Sequence, residues 1–307
     1  MPKDLKPILA LITVSAIWGG ASVIIKYTLQ FISPFSFLYI RFVLASIILY
    51  FLVDWDKHEY LMRVNKKGLF KIFLLGSLGS AVNLGLYFFG IKYTTAIEAT
   101  IIYSFTPIFV LFGSVFLLKE KITKRIWLGY GITILGFLVV ILQPILDRNV
   151  EGSETRLYGN FLIFLSVLAW AMFTLISKNV FNHDKTGKRS SPLFITFVTF
   201  FSGALVLMPF GLYEIWNSDI DYVHALPGIL YMTIFSTVIA YSFFEYGVKK
   251  IKVSQASIFQ YIQPVFTIPI AMIALNEKFS IYYIAGGALL LLGLYFSESN
   301  GSKKSNF

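Results

Sequence analysis

Two prolines carry the first chemical signal. Pro107 and Pro264 each lie well inside a long apolar run. Proline brings no amide proton and clashes with the carbonyl four residues back, which here belongs to Tyr103 and to Gln260. At bilayer depth a freed carbonyl must be met by protein or water. Helix breaks in corresponding runs therefore point to a solute or ion pathway. A plain packing kink is the other reading.

Polar residues fall on one helical face beside each proline. Ala256, Gln260, Gln263 and Thr267 are spaced four, three and four apart, and Ala99, Tyr103, Thr106 and Val110 repeat the pattern. Two more runs carry such stripes: Gly76, Ser80, Asn83 and Tyr87 in one, Thr233, Thr237, Tyr241 and Phe244 in the other. Polar side chains on an apolar span must face protein or water rather than lipid. Four stripes suggest one central polar cavity; hydrogen bonding between helices would also account for them.

Single residues add to this. Arg41 sits near the centre of its run. A central arginine costs roughly 2.5–3.5 kcal/mol on insertion scales, so it needs a structural partner, water or an anionic group of a substrate. Trp18 and Trp170 fall mid-run, away from the interfacial belts, and their indole donors need partners when buried. A place in the cavity wall and close packing are both open. Lys26 and Lys178 lie near run ends, where snorkelling is the simpler account and gating or substrate contact the other. Glu245 lies near the end of its run, as a proton-coupling group or a snorkelling one. Glu120 and Glu277 read as interfacial charges paired with nearby lysines.

The elements that position these residues follow from composition. The chain has 307 residues, of which 57% are hydrophobic and 14% charged, and no cysteine. A soluble domain carries roughly 25% charged residues, so a cytosolic enzyme and a disordered chain are both excluded. Ten apolar runs stand between charge clusters, near 7–29, 35–53, 69–91, 97–118, 126–145, 157–180, 192–213, 225–247, 254–275 and 281–297. About 20 apolar residues suffice to cross a bilayer as a helix. The expected fold is an all-α membrane protein of ten transmembrane helices.

Lysine and arginine in the loops set its orientation. With the N-terminus inside, the outer loops hold only Lys92, Arg148, Arg156 and Lys278. Both termini are therefore expected in the cytoplasm. The net charge of +10 is then an orientation signal and not a nucleic-acid surface.

The second half echoes the first. A shift of 157 places Gly90 on Gly247, Ala99 on Ala256, Pro107 on Pro264, Glu120-Lys121 on Glu277-Lys278, Gly129 on Gly286 and Gly136 on Gly293. A shift of 152 places Trp18 on Trp170 and Lys26 on Lys178, and one of 158 places Ser33-Pro34 on Ser191-Pro192. Five runs per copy is an odd number, so the copies enter the membrane from opposite sides. Residues 1–148 and 149–307 are the expected units. Inverted repeats of this kind occur in secondary transporters, whose halves exchange conformations around a central site. A membrane sensor or scaffold, with stripes that only join helices, is the alternative.

The chain resembles the EamA-type branch of the drug/metabolite transporter superfamily, over nearly its whole length. The marks are Trp18-Gly19, Lys26, Arg41-Phe42, Pro107 and Leu118-Lys119-Glu120-Lys121-Ile122-Thr123 in the first half. In the second they are Trp170-Ala171, Lys178, Pro264 and Leu275-Asn276-Glu277-Lys278-Phe279-Ser280. Members often have glycine before that glutamate; here Lys119 and Asn276 stand there. Thr199 occupies the second-half position of Arg41. The resemblance implies a ten-helix plasma-membrane protein similar to exporters of amino acids and other small metabolites. The lining expected for a small neutral or zwitterionic solute is Trp18, Arg41, Asn83, Tyr87, Tyr103, Trp170, Tyr241, Gln260 and Gln263. Pro107, Pro264, Lys26 and Lys178 would break helices or gate. No cofactor, metal or nucleic-acid partner is expected; the partners are a small-molecule substrate and the lipid bilayer. A coupling ion and a homo-oligomer remain open. His58, His183 and His224 lie in or beside loops, and no H-E-x-x-H, P-loop or G-x-S-x-G pattern occurs.

Overall fold

The computed structural model describes residues 5–55, 66–118, 124–147, 152–180, 191–251, 256 and 258–298. These are helical, with no strand among them. Seven helices are long and apolar enough to cross a membrane: Lys6–Thr28, Pro34–Leu52, Lys67–Tyr93, Ala96–Gly113, Ser153–Ser177, Pro192–Asn217 and Tyr222–Lys250. Shorter apolar helices occupy Trp127–Ile141, Phe259–Ala274 and Ile281–Phe296. Each falls in one of the expected runs.

Two helices, α1 (Lys6–Thr28) and α2 (Pro34–Leu52), come first. Next, α3 (Lys66–Ser77) passes through a π-helical segment, Leu78–Val82, into α4 (Asn83–Tyr93). Then α5 (Ala96–Ser104), α6 (Thr106–Leu118) and α7 (Lys124–Ile141) close the first half. The second half has α8 (Ser153–Val180), α9 (Pro192–Asn217) and α10 (Tyr222–Tyr231). A second π-helical segment, Met232–Ile239, joins α10 to α11 (Ala240–Lys250). A 3-10 turn at Phe259–Ile262 leads into α12 (Gln263–Ala274), and α13 (Ile281–Glu298) ends the bundle. The π segments occupy matching runs, as do the breaks before Pro107 and Pro264.

The halves interleave reciprocally. Gly90 of α4 lies against Ile163 of α8: a Cβ there would be 2.7 Å from Ile163 Cδ1. Its counterpart Gly247 of α11 lies equally close to Leu11 of α1, and Leu11 is the counterpart of Ile163. Each half thus packs the helix that follows its π segment on the first helix of the other, as a pseudo-two-fold axis requires. Glycines also join α7 to α13. A Cβ on Gly136 would sit 2.8 Å from Gly286 O, and one on Gly293 would sit 2.6 Å from Gly129 O. These glycines close a contact within the chain, a role that small residues serve in membranes.

The prolines begin helices rather than kink them. Pro107 is the second residue of α6 and Pro264 the second of α12. There a missing amide proton costs nothing, because the first turn has no intrahelical acceptor for it. The carbonyl of Tyr103 accepts a 2.5 Å bond from Thr106 Oγ1, and that of Gln260 accepts the Gln263 amide.

Candidate functional site

A partly open cavity, with about 470 Å³ of atom-free space counted out into the solvent at its mouth, lies among α1, α2, α4, α5, α8, α11, α12 and the second π segment. Seven of the expected lining residues border it: Trp18, Arg41, Tyr87, Tyr103, Trp170, Tyr241 and Gln263. Repeat-related residues stand together in its wall. Trp18 and Trp170 meet edge-to-face at 5.8 Å, and Tyr241 packs on both at 5.2 and 5.5 Å. The counterpart of Tyr241 is Leu84, also in the wall. Phe244, Phe173 and Phe200 back this cluster with centroid distances of 4.6–5.5 Å. Aromatic pairs in this geometry add about 0.5–1.5 kcal/mol each beyond burial.

The second π segment positions the polar atoms that meet Trp18 and Arg41. Trp18 Nε1 donates to Ser236 O at 3.2 Å. Arg41 Nε donates to Thr237 Oγ1 at 2.7 Å and Nη2 to Ser236 Oγ at 3.4 Å. Arg41 is 1% exposed, and its guanidinium carbon lies 5.8–5.9 Å from the ring centres of Phe42, Phe88 and Phe200. Tyr87 OH pairs with Ser22 Oγ at 2.7 Å, which accepts from Thr100 Oγ1 at 2.8 Å.

Two expected lining residues lie behind the wall. Asn83 Nδ2 donates to Ser166 O at 2.8 Å, Ser166 Oγ at 2.9 Å and Tyr103 OH at 3.1 Å, so it braces a lining tyrosine. Gln260 is buried and outside the cavity, with neither amide atom paired among the described residues. Ser80 joins helices: its hydroxyl donates to Thr199 O at 2.7 Å. The stripes thus combine cavity wall and interhelical bonding.

The lysines and glutamates differ from expectation. Lys26 does not snorkel. Its Nζ donates to the carbonyls of Ile91, Lys92 and Thr94 at 3.0, 3.0 and 2.6 Å, a cap on the C-terminus of α4 that also suits the helix dipole. Lys178 falls within α8, but its side chain lies outside the described residues, as does Glu120. Glu277 is not paired with a lysine through hydrogen bonds. Its two oxygens accept from Ala96 N at 2.7 Å and Ile97 N at 2.9 Å, so the second half caps α5 of the first. Burial pushes its carboxyl above the ordinary glutamate range, against the lowering by those amides and by Lys26. Asn276, just before it, has a φ of 53°. Glycine adopts that conformation most freely and asparagine next, so asparagine keeps the turn. Glu277→Ala is expected to cost about 1–2 kcal/mol, and Glu277→Gln less because one acceptor remains. Melting temperatures of the detergent-purified variants should fall in that order.

Sequence reasoning missed a buried ion pair. Glu98 is fully buried and bonds Arg156, Thr94 Oγ1 and, at 2.7 Å, Tyr283 OH. A Thr-x-x-Glu start was legible, and Thr95 does cap α5 through the Glu98 amide. The partner on α8 was not.

Comparisons with known proteins agree with this architecture. The EamA-like transporter family matches the chain twice, over residues 5–142 and 157–298. An uncharacterized transporter of Archaeoglobus fulgidus is 31% identical over 278 residues, covering 91% of this chain and 93% of that protein. The uncharacterized transporter YetK of Bacillus subtilis is 28% identical over 295 residues, covering 95% and 87%. A crystal structure with 15% identity shares the fold at a TM-score of 0.64, over 96% of this chain and 97% of the other. The chain belongs to the EamA-like transporter family and is a multi-pass membrane transporter.

Proposed function

We propose that this protein exports an amino acid or a related small metabolite across the plasma membrane, by alternating access to the central cavity. One observation carries the reading: both halves contribute to the cavity wall, and two counterpart pairs stand in it, Trp18 with Trp170 and Leu84 with Tyr241. A wall shared by two exchanging halves is what a pathway that opens to each side in turn needs. The aromatic contacts of Trp18, Trp170 and Tyr241 join the two halves in the wall, and their separation would accompany opening. The outward direction rests on the resemblance to metabolite exporters. Residues 1–148 and 149–307 act as the two moving units in this account.

Proteoliposomes loaded with a radiolabelled amino-acid and organic-acid panel test it. Saturable flux of at least one solute, absent from empty liposomes, is expected. No saturable flux for any solute favours the sensor or scaffold reading, which the Ser80 and Asn83 interhelical bonds would then explain alone.

A further inference from the structure

Among the described residues, Arg41 is the one charged residue in the cavity wall. Its Nε and Nη2 are held by Thr237 and Ser236, but the buried Nη1 has no hydrogen-bond partner among the described residues. No carboxylate among them pairs with it; the described ion pairs are Arg156–Glu98 and His224–Asp221. The faces of Phe42, Phe88 and Phe200 attract a cation but leave the N–H unanswered. A buried charge lacking a counter-ion is costly, so the site is incomplete as it stands.

Packing does not require that charge. The repeat supplies the control. Arg41 bonds Thr237; their counterparts are Thr199 and Ser80, which also touch, through a 2.7 Å bond from Ser80 Oγ to Thr199 O. The same joint is thus made on the other side by two neutral residues. There it faces Gly203 and Gly76 in a closed helix contact. Only the copy that borders the cavity carries a guanidinium.

We propose that the substrate is an organic monocarboxylate with an apolar body, whose carboxylate takes the free edge of Arg41. The guanidinium edge matches a carboxylate in shape and charge. A single cation, with no lysine among the described residues of the wall, suits one negative charge rather than a phosphate dianion. The body lies against Trp18, Trp170 and Tyr241. The described residues of the wall offer no acidic side chain to an ammonium, so an amino group is tolerated and not required. This rests on the transport reading above and narrows its substrate class.

Thermal shift of the full chain in detergent tests it with four probes of one shape: 3-phenylpropanoate, L-phenylalanine, 3-phenylpropanamide and phenethylamine. A ligand that binds the folded state raises its melting temperature. The two carboxylates are expected to stabilise, and the amide and amine not to. Arg41→Gln should weaken 3-phenylpropanoate by about tenfold or more, the range for a charge-assisted hydrogen bond, with Arg41→Lys in between. The comparison on the unaltered chain holds even where Arg41→Gln does not fold. Equal stabilisation by the amide, no stabilisation by either carboxylate, or full affinity in Arg41→Gln overturns the proposal. Flux of a neutral solute together with any of these results would leave transport standing while removing the carboxylate site. Absence of all saturable flux would remove the transport reading itself.

Discussion

Replacing Arg156 with methionine is expected to destabilise the protein by about 3 kcal/mol, the low end of the range for breaking a buried pair. The asymmetry of the pair sets the size. Glu98 is 0% exposed at its side chain and Arg156 is 21% exposed. Without Arg156 the carboxylate stays trapped, with only Thr94 and Tyr283 to meet it. Without Glu98 the guanidinium can turn to water. Glu98→Gln should therefore cost less, roughly 1 kcal/mol, the net worth of one hydrogen bond. In the Arg156→Met, Glu98→Gln double variant part of the loss should return. Melting temperatures of the three variants give the order: wild type, Glu98→Gln, double variant, Arg156→Met. An Arg156→Met protein as stable as wild type would mean the pair does not hold α5 to α8.

The second large effect concerns transport. Leu84→Trp is expected to abolish flux while leaving the melting temperature within a few degrees of wild type. Leu84 is half-buried in the cavity wall, and its repeat counterpart is already the aromatic Tyr241. The fold thus accepts a ring at this point of the architecture, and here the added atoms enter open space rather than a packed core. Overpacking usually costs about 1–3 kcal/mol where no such space exists. Flux through proteoliposomes and melting temperature, measured on the same preparation, separate the two effects. Wild-type flux in Leu84→Trp would place the pathway elsewhere.

Much of this arrangement was legible in the residues. Runs of apolar sequence, two prolines and a near-constant shift located the helices, the breaks and the pairing of the halves. The tryptophans were legible because mid-run indoles need buried partners. The π segments were not. Leu78–Val82 and Met232–Ile239 contain no residue that marks them. Each π turn carries an extra residue, and the helical face rotates across it. A stripe drawn at α-helical spacing therefore slips. Ser80, within the first segment, turns to α9, whereas Leu84 and Tyr87, beyond it, reach the cavity. Glu277 was misread for a different reason. A charge beside a lysine in sequence looks like an ion pair, but its acceptors were wanted by amides of Ala96 and Ile97 in the other half. Long-range partners of that kind leave no local trace.

Alternating access requires one cavity to serve both faces of the membrane in turn. The chain has no cysteine, so Ser22→Cys places a single thiol in the cavity wall. Its reaction with a membrane-impermeant maleimide, added to one face of sealed vesicles and then to the other, is the direct measurement. Labelling from each face is expected, at rates that move in opposite directions when a transported solute is added. Equal rates from both faces that no solute alters, or no labelling from either, would contradict it.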